Sequence, residues 1–223
     1  MSDAVDQLLF GYRDGHELIG ASCRLWPEHL REVMQHVDAA VERPDERQLV
    51  GTWLPPLGAY LLARIWAAPE RPRPGAVWAH VLLISGAQLD QGRTASLLGL
   101  LRRPAGEEFG GYAQRLDWPA PREQATVPER LAHALVSATY AGDGRQRIVL
   151  WQTPAQAEGA LLYLLDTAPR ALRRELSFRT RERARRTAAP YRLQVAASLG
   201  GRAGEESPLV IDARPAIEDS AAG

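Results

Sequence analysis

Gln7-Leu8-Leu9-Phe10-Gly11-Tyr12-Arg13-Asp14-Gly15-His16-Glu17-Leu18-Ile19-Gly20-Ala21-Ser22 reads as a β-hairpin. Asp14-Gly15 is a turn signal between two apolar flanks, and glycine there is expected to take a positive φ that a Cβ would oppose. Tyr12, Arg13, Asp14 and His16 gather an aromatic ring, a guanidinium, a carboxylate and an imidazole around that turn. A lone hairpin is marginal in water, so its apolar flanks need a further partner.

A second hairpin supplies one. Residues 60–66 (Tyr-Leu-Leu-Ala-Arg-Ile-Trp) and 77–84 (Val-Trp-Ala-His-Val-Leu-Leu-Ile) are strand-like, and the connector Pro69-Glu70-Arg71-Pro72-Arg73-Pro74-Gly75 holds three prolines that deny it regular structure. Both hairpins are expected in one antiparallel sheet. Between them, residues 27–37 read as a helix: Pro27 suits its first position, and Leu30, Val33, Met34 and Val37 form one apolar stripe. Residues 42–47 form a charged loop, 94–102 a short helix, and 106–130 a Pro- and Gly-rich stretch with one short strand. Beyond it come a helix over 127–140 with Leu131, Leu135 and Val136 on one side, and a buried strand over 146–151. Thr153 and Pro154 open another helix as N-cap and first position, and a basic helix starts at Pro169. Residues 176–180, 191–197 and 208–211 are strand candidates, and the small, polar end after Asp212 is expected to fray. The fold class is α+β. Residues 1–125 are expected to form an N-terminal domain, 126–212 a smaller strand–helix–strand unit, and 213–223 a tail.

Composition narrows the function classes. The 223 residues can bury a sizeable core, and 27 basic residues balance 27 acidic ones, so no global field attracts nucleic acid or an anionic membrane. Every basic residue is Arg; Lys and Asn are absent, which fits a GC-rich bacterial genome. Without lysine, neither a P-loop, a kinase phosphate site nor a Schiff base can form. One cysteine excludes an internal disulfide and a cysteine-based zinc cage. The acidic start is no secretory signal, and no apolar run approaches the roughly 20 residues of a membrane span, so a cytoplasmic protein is expected.

The first hairpin resembles the opening of the bacterial GTPase-associated proteins, Gln-Leu-Leu-Tyr-Gly-Tyr-x-x-Gly-His-x-Leu-Leu-x-x-Ser, with Phe10 in place of Tyr and Ile19 in place of Leu. Residues 63–84 resemble the same family's Ala-Arg-Thr-Trp…Ala-Pro-Glu-x-x-Arg-Pro-Gly-x-Val-Trp-x-His…Leu-Ile run, with Ile65 in place of Thr. More faintly, residues 168–180 are similar to the family's middle domain, where Leu-Pro-x-x-Arg-x-x-Leu-x-Phe-x-Thr is typical. Family members usually continue into a further C-terminal region, whose role is expected to fall elsewhere. The resemblance implies an adaptor of a GTPase-linked conflict or defence-like system, with a GTPase or effector as partner.

Candidate residues follow from both readings. No catalytic, cofactor or metal set is proposed: His29 and His36 lie seven residues apart, about 10.5 Å along a helix, and no H-E-x-x-H motif exists. The partner surface is assigned to Arg13, His16, Arg64, Trp66, Glu70, Arg71, Arg73, Trp78 and His80. The alternative for His16 and His80 is structural, as imidazoles hydrogen-bonded within the sheet. Two other functions compete. Cys23 with His16 as base would make a hydrolase or peptidase, although a lone cysteine beside a strand is more often a small buried hydrophobe. Arg170, Arg173, Arg174, Arg179, Arg181, Arg183, Arg185, Arg186 and Arg192 could bind nucleic acid or an acidic protein, or simply be a solvated helix end.

Overall fold

The computed structural model describes residues 4–38, 41, 43–120, 127–140, 146–184, 191–199 and 209–214. In chain order the strands are β1 (Ala4–Tyr12), β2 (His16–Ala21), β3 (Arg47–Leu54), β4 (Ala59–Ala67), β5 (Val77–Ser85), β6 (Leu116–Asp117), β7 (Arg147–Leu150), β8 (Phe178–Ala184), β9 (Leu193–Leu199) and β10 (Leu209–Asp212). The helices are α1 (Pro27–Val37), α2 (Gly86–Leu89), α3 (Glu129–Tyr140), α4 (Pro154–Thr167) and α5 (Arg170–Arg173), with 3-10 turns at Pro55–Leu57, Thr94–Leu100 and Gly110–Ala113.

All the strands join one mixed sheet in the order β10-β7-β9-β8-β3-β4-β5-β1-β2, and β6 adds to β1. Both expected hairpins are present, and β1 pairs antiparallel with β5, so they share the sheet. The second half is parallel, β8 to β9 to β7 to β10. The halves meet where β8 pairs antiparallel with β3, through Val50–Arg179 and Gly51–Phe178. A methyl on Gly51 would lie 2.5 Å from the Phe178 ring and 2.7 Å from the Tyr60 hydroxyl, so glycine permits the close approach.

Strand alternation divides the buried residues between two faces. One face, with Val5, Leu49, Tyr60, Leu62, Leu82 and Phe178, packs on α3, α4 and the 94–100 turn. The other, with Leu8, Phe10, Val50, Leu61, Ile65 and Val81, is covered by α1 through Val33 and Val37. Burying each of those valines contributes about 1.5–3 kcal/mol. Asp166 of α4 ties the halves again: it accepts hydrogen bonds from the Thr94 and Ala95 amides at 2.7 and 2.9 Å, and from the Thr94 hydroxyl.

Four local details differ from the sequence reading. Residues 47–54, beyond the charged loop, are a central strand. Gly15 lies outside the positive-φ region, which Gly58, Gly75, Gly92 and Gly106 occupy. Tyr12 pairs with His16 across a three-residue loop, in which the Arg13 amide donates to the Gly15 carbonyl at 3.1 Å, and this turn needs no left-handed glycine. Val136 is exposed, and α3 buries Leu131, Ala134, Leu135 and Ala138 instead. Thr153 precedes α4 as expected, but its hydroxyl makes no capping bond. Among the described residues, no helix is long and apolar enough to cross a membrane.

Candidate interaction surface

The nine candidate residues do not form one patch, because the strand period places them on opposite faces. Arg64 pairs with His80 and Trp66 with Trp78 across β4 and β5, so these four lie on the face covered by α4. His16 stacks on Phe10 on the other face, with ring centroids 6.1 Å apart. Arg73 crosses the strand ends to lie 5.5 Å over the Tyr12 ring. Arg13 is exposed at the neighbouring turn, 3.9 Å from Glu17.

The loop between β4 and β5 is held shut. Its ends are bonded by the Ala68 amide donating to Ala76 O at 2.9 Å, and inner turns by Arg71 to Ala68 O and Ala76 to Arg73 O. Beneath it, buried Trp78 donates its indole N–H to Glu70 at 2.6 Å, and Arg103 pairs with the other Glu70 oxygen at 2.5 Å. Slight burial pushes the Glu70 carboxyl up, but the indole, backbone and Arg103 hydrogen bonds outweigh it and hold it below its ordinary range. The Arg71 guanidinium lies 4.7 Å over the Trp78 ring and 3.1 Å from Glu107. Arg71 is therefore part of the loop's packing, whereas Arg73, Pro72 and Pro74 face outward.

His80 is fully buried and bonded on both nitrogens. The Arg102 amide donates to Nδ1 at 3.1 Å, so Nε2 carries the proton and donates to Gln7 Oε1 at 2.9 Å. The Gln7 amide nitrogen in turn donates to Gly111 O and Gln114 O, and Tyr112 meets the imidazole edge-on at 5.0 Å. Burial, with help from the Arg102 charge, lowers the His80 pKa to about 3. This neutral ring anchors the 102–114 segment over the sheet. Arg64 is also internal, ion-paired with buried Glu158 of α4.

His16 and Cys23 sit apart. His16 faces Tyr12 at the turn, while Ala21, two residues before Cys23, faces Leu8 about 16 Å further along β2. Burial, with the Asp6 charge beside it, pushes the Cys23 thiol up to about 11, away from the thiolate a nucleophile needs, and the side chain packs against the apolar cluster under α1. His16 is pushed down by burial, against the pull of Asp38, and its Nε2 is buried without a hydrogen-bond partner.

The arginines after Pro169 do not share a surface either. Arg173 donates to the carbonyls of Ala168, Leu89 and Asp166, Arg174 lies over Trp53, and Arg179 and Arg181 are buried. Arg170, Arg183 and Arg192 are exposed, while Arg185 and Arg186 lie outside the described residues. Gln7, Arg102, Arg103, Tyr112 and Glu158 complete the networks and were not singled out from the sequence. A signal existed for Gln7: a polar residue at an inward position between Val5 and Leu9 requires partners.

Residues 4–101 match the family model described as GTPase-associated protein 1, N-terminal domain type 1, a span that begins with β1 and ends just past the 94–100 turn. No curated protein and no solved structure matches the chain.

Proposed function

We propose, from the match of residues 4–101 to the model of a GTPase-associated protein N-terminal domain, that the chain is a non-enzymatic adaptor that binds a GTPase and couples it to an effector. The setting is a bacterial conflict or defence-like system in the cytoplasm. The second half, which resembles the family's middle domain from residue 168 to 180, extends the same sheet.

One observation carries the reading: the loop over 68–76 is preorganised. Three prolines, three backbone hydrogen bonds and the Glu70 clamp on Trp78 hold it, so docking costs little conformational entropy. Arg73 and Arg13 stand outward beside Tyr12, a basic-aromatic patch that fits an acidic GTPase surface. The hydrolase alternative draws no support from the separation of His16 and Cys23 or from the raised thiol pKa.

The test is a binding titration between the purified chain and the GTPase encoded beside it. Arg13→Glu with Arg73→Glu should weaken binding at least tenfold while leaving the melting curve unchanged. Equal affinity of the double variant at physiological salt would move the interface away from this loop, and no binding by the wild-type chain would remove the adaptor reading.

A further inference from the structure

β8 carries Arg179 and Arg181 two residues apart, so both project from one face of the sheet. This is the face toward α1, far from the 68–76 loop in the strand order. The two residues are only 4% and 6% exposed. Arg179 Nε donates to Gln48 Oε1 at 2.9 Å, and its guanidinium lies 5.5 Å over Tyr191, whose hydroxyl is 2.8 Å from His36 Nδ1. Yet Arg179 Nη2 and Arg181 Nη1 are buried and have no hydrogen-bond partner.

Among the described residues the charges do not close. Glu46, also buried, is the described carboxylate whose field reaches both guanidiniums. Burial keeps His36 neutral, lowering its pKa to about 4, and keeps the Tyr191 phenol protonated, raising its pKa to about 12. Arginine remains charged at any physiological pH. Burial and the Arg179 charge draw even Arg181 down to about 10. A trapped water would satisfy the idle donors but not the excess positive charge, whereas an anion does both.

We propose that Arg179 and Arg181 bind one small oxyanion, of the phosphate or carboxylate type, through the guanidinium nitrogens that lack protein partners. The planar fork of arginine suits oxygen pairs on either anion. Tyr191 and Gln48 hold Arg179 in place. The site is separate from the adaptor surface, and either reading stands or falls alone.

The experiment titrates the full chain with inorganic phosphate and, separately, with acetate, at matched ionic strength with chloride as the reference anion. Calorimetry should show one saturable site for at least one of them, and the anion that binds identifies the chemistry. The melting temperature should rise by about 5 °C at roughly a hundredfold excess over the dissociation constant. Arg181→Met should lose at least tenfold in affinity and, with one charge fewer to bury, should melt no lower than the wild type in chloride. Wild-type protein with neither saturable heat nor a melting shift overturns the site whether or not the variant folds, and so does binding that Arg181→Met leaves unchanged.

Discussion

A methyl on Gly11 would lie 2.1 Å from Cζ3 of Trp78, so the indole ring fills the space a side chain at residue 11 would need. The ring is 1% exposed and is pinned from outside by Glu70 and Arg71, so it has nowhere to move. The glycine in the first hairpin and the tryptophan in the second are one packing unit.

Gly11→Ala should destabilise the protein by about 1–3 kcal/mol or more, the cost of overpacking a filled site. Gly15→Ala should stay within about 0.5 kcal/mol, since a methyl on Gly15 would meet nothing within 4 Å and the residue has no positive φ. Urea unfolding of both variants checks the contrast. Equal losses would mean that the turn, and not the Trp78 contact, governs the hairpin.

The Trp78–Glu70 bond predicts a second contrast. Glu70→Ala leaves a buried indole N–H without its acceptor, at a cost of about 1–3 kcal/mol. Glu70→Gln keeps an oxygen in place and should cost less. Hydrogen exchange at the Arg71 and Ala76 amides, which bond within the loop, should quicken in Glu70→Ala only, and exchange at the wild-type rate in that variant would show that the clamp does not hold the loop.

Arg64 and Glu158 predict strong coupling between β4 and α4. Burial raises the Glu158 pKa, and the charges of Arg64 and Arg47 oppose that rise. Glu158→Leu should cost about 3–5 kcal/mol because it strands a buried guanidinium, while Arg64→Met with Glu158→Leu should recover most of that loss. A double-mutant cycle by chemical denaturation measures the coupling, and additive losses would refute it.

His80 and His36 make stability fall in mild acid. Burial lowers the folded pKa values to about 3 and about 4, against 6.5 for the free side chain. The unfolded chain therefore binds protons that the native state refuses. The stability is fully present above pH 6.5 and is lost as pH falls toward 4, at up to about 1.4 kcal/mol per pH unit for each ring. Denaturation at pH 7 and pH 5 tests the slope. Imidazole NMR shifts that stay constant from pH 8 to pH 5 would identify the two rings, and a midpoint near 6.5 for His80 would contradict its burial.

The sequence by itself determined the local elements. Apolar alternation and the three-proline connector defined both hairpins, and the 30-33-34-37 spacing defined α1, because short-range periodicity directly encodes which face of a segment is buried. It also carried the family motifs in residues 7–22 and 63–84. Only the tertiary structure decided the rest. Strand β3 was missed because 47–54 is buried on both faces and shows no clean alternation. The joining of the halves through β3 and β8 depends on pairing across more than a hundred residues, which no local pattern records. The same long-range packing turned a seemingly uniform arginine tract into exposed, stapling and buried residues. It also separated His16 from His80, because neighbouring strand positions point to opposite faces and only the register says which residues meet.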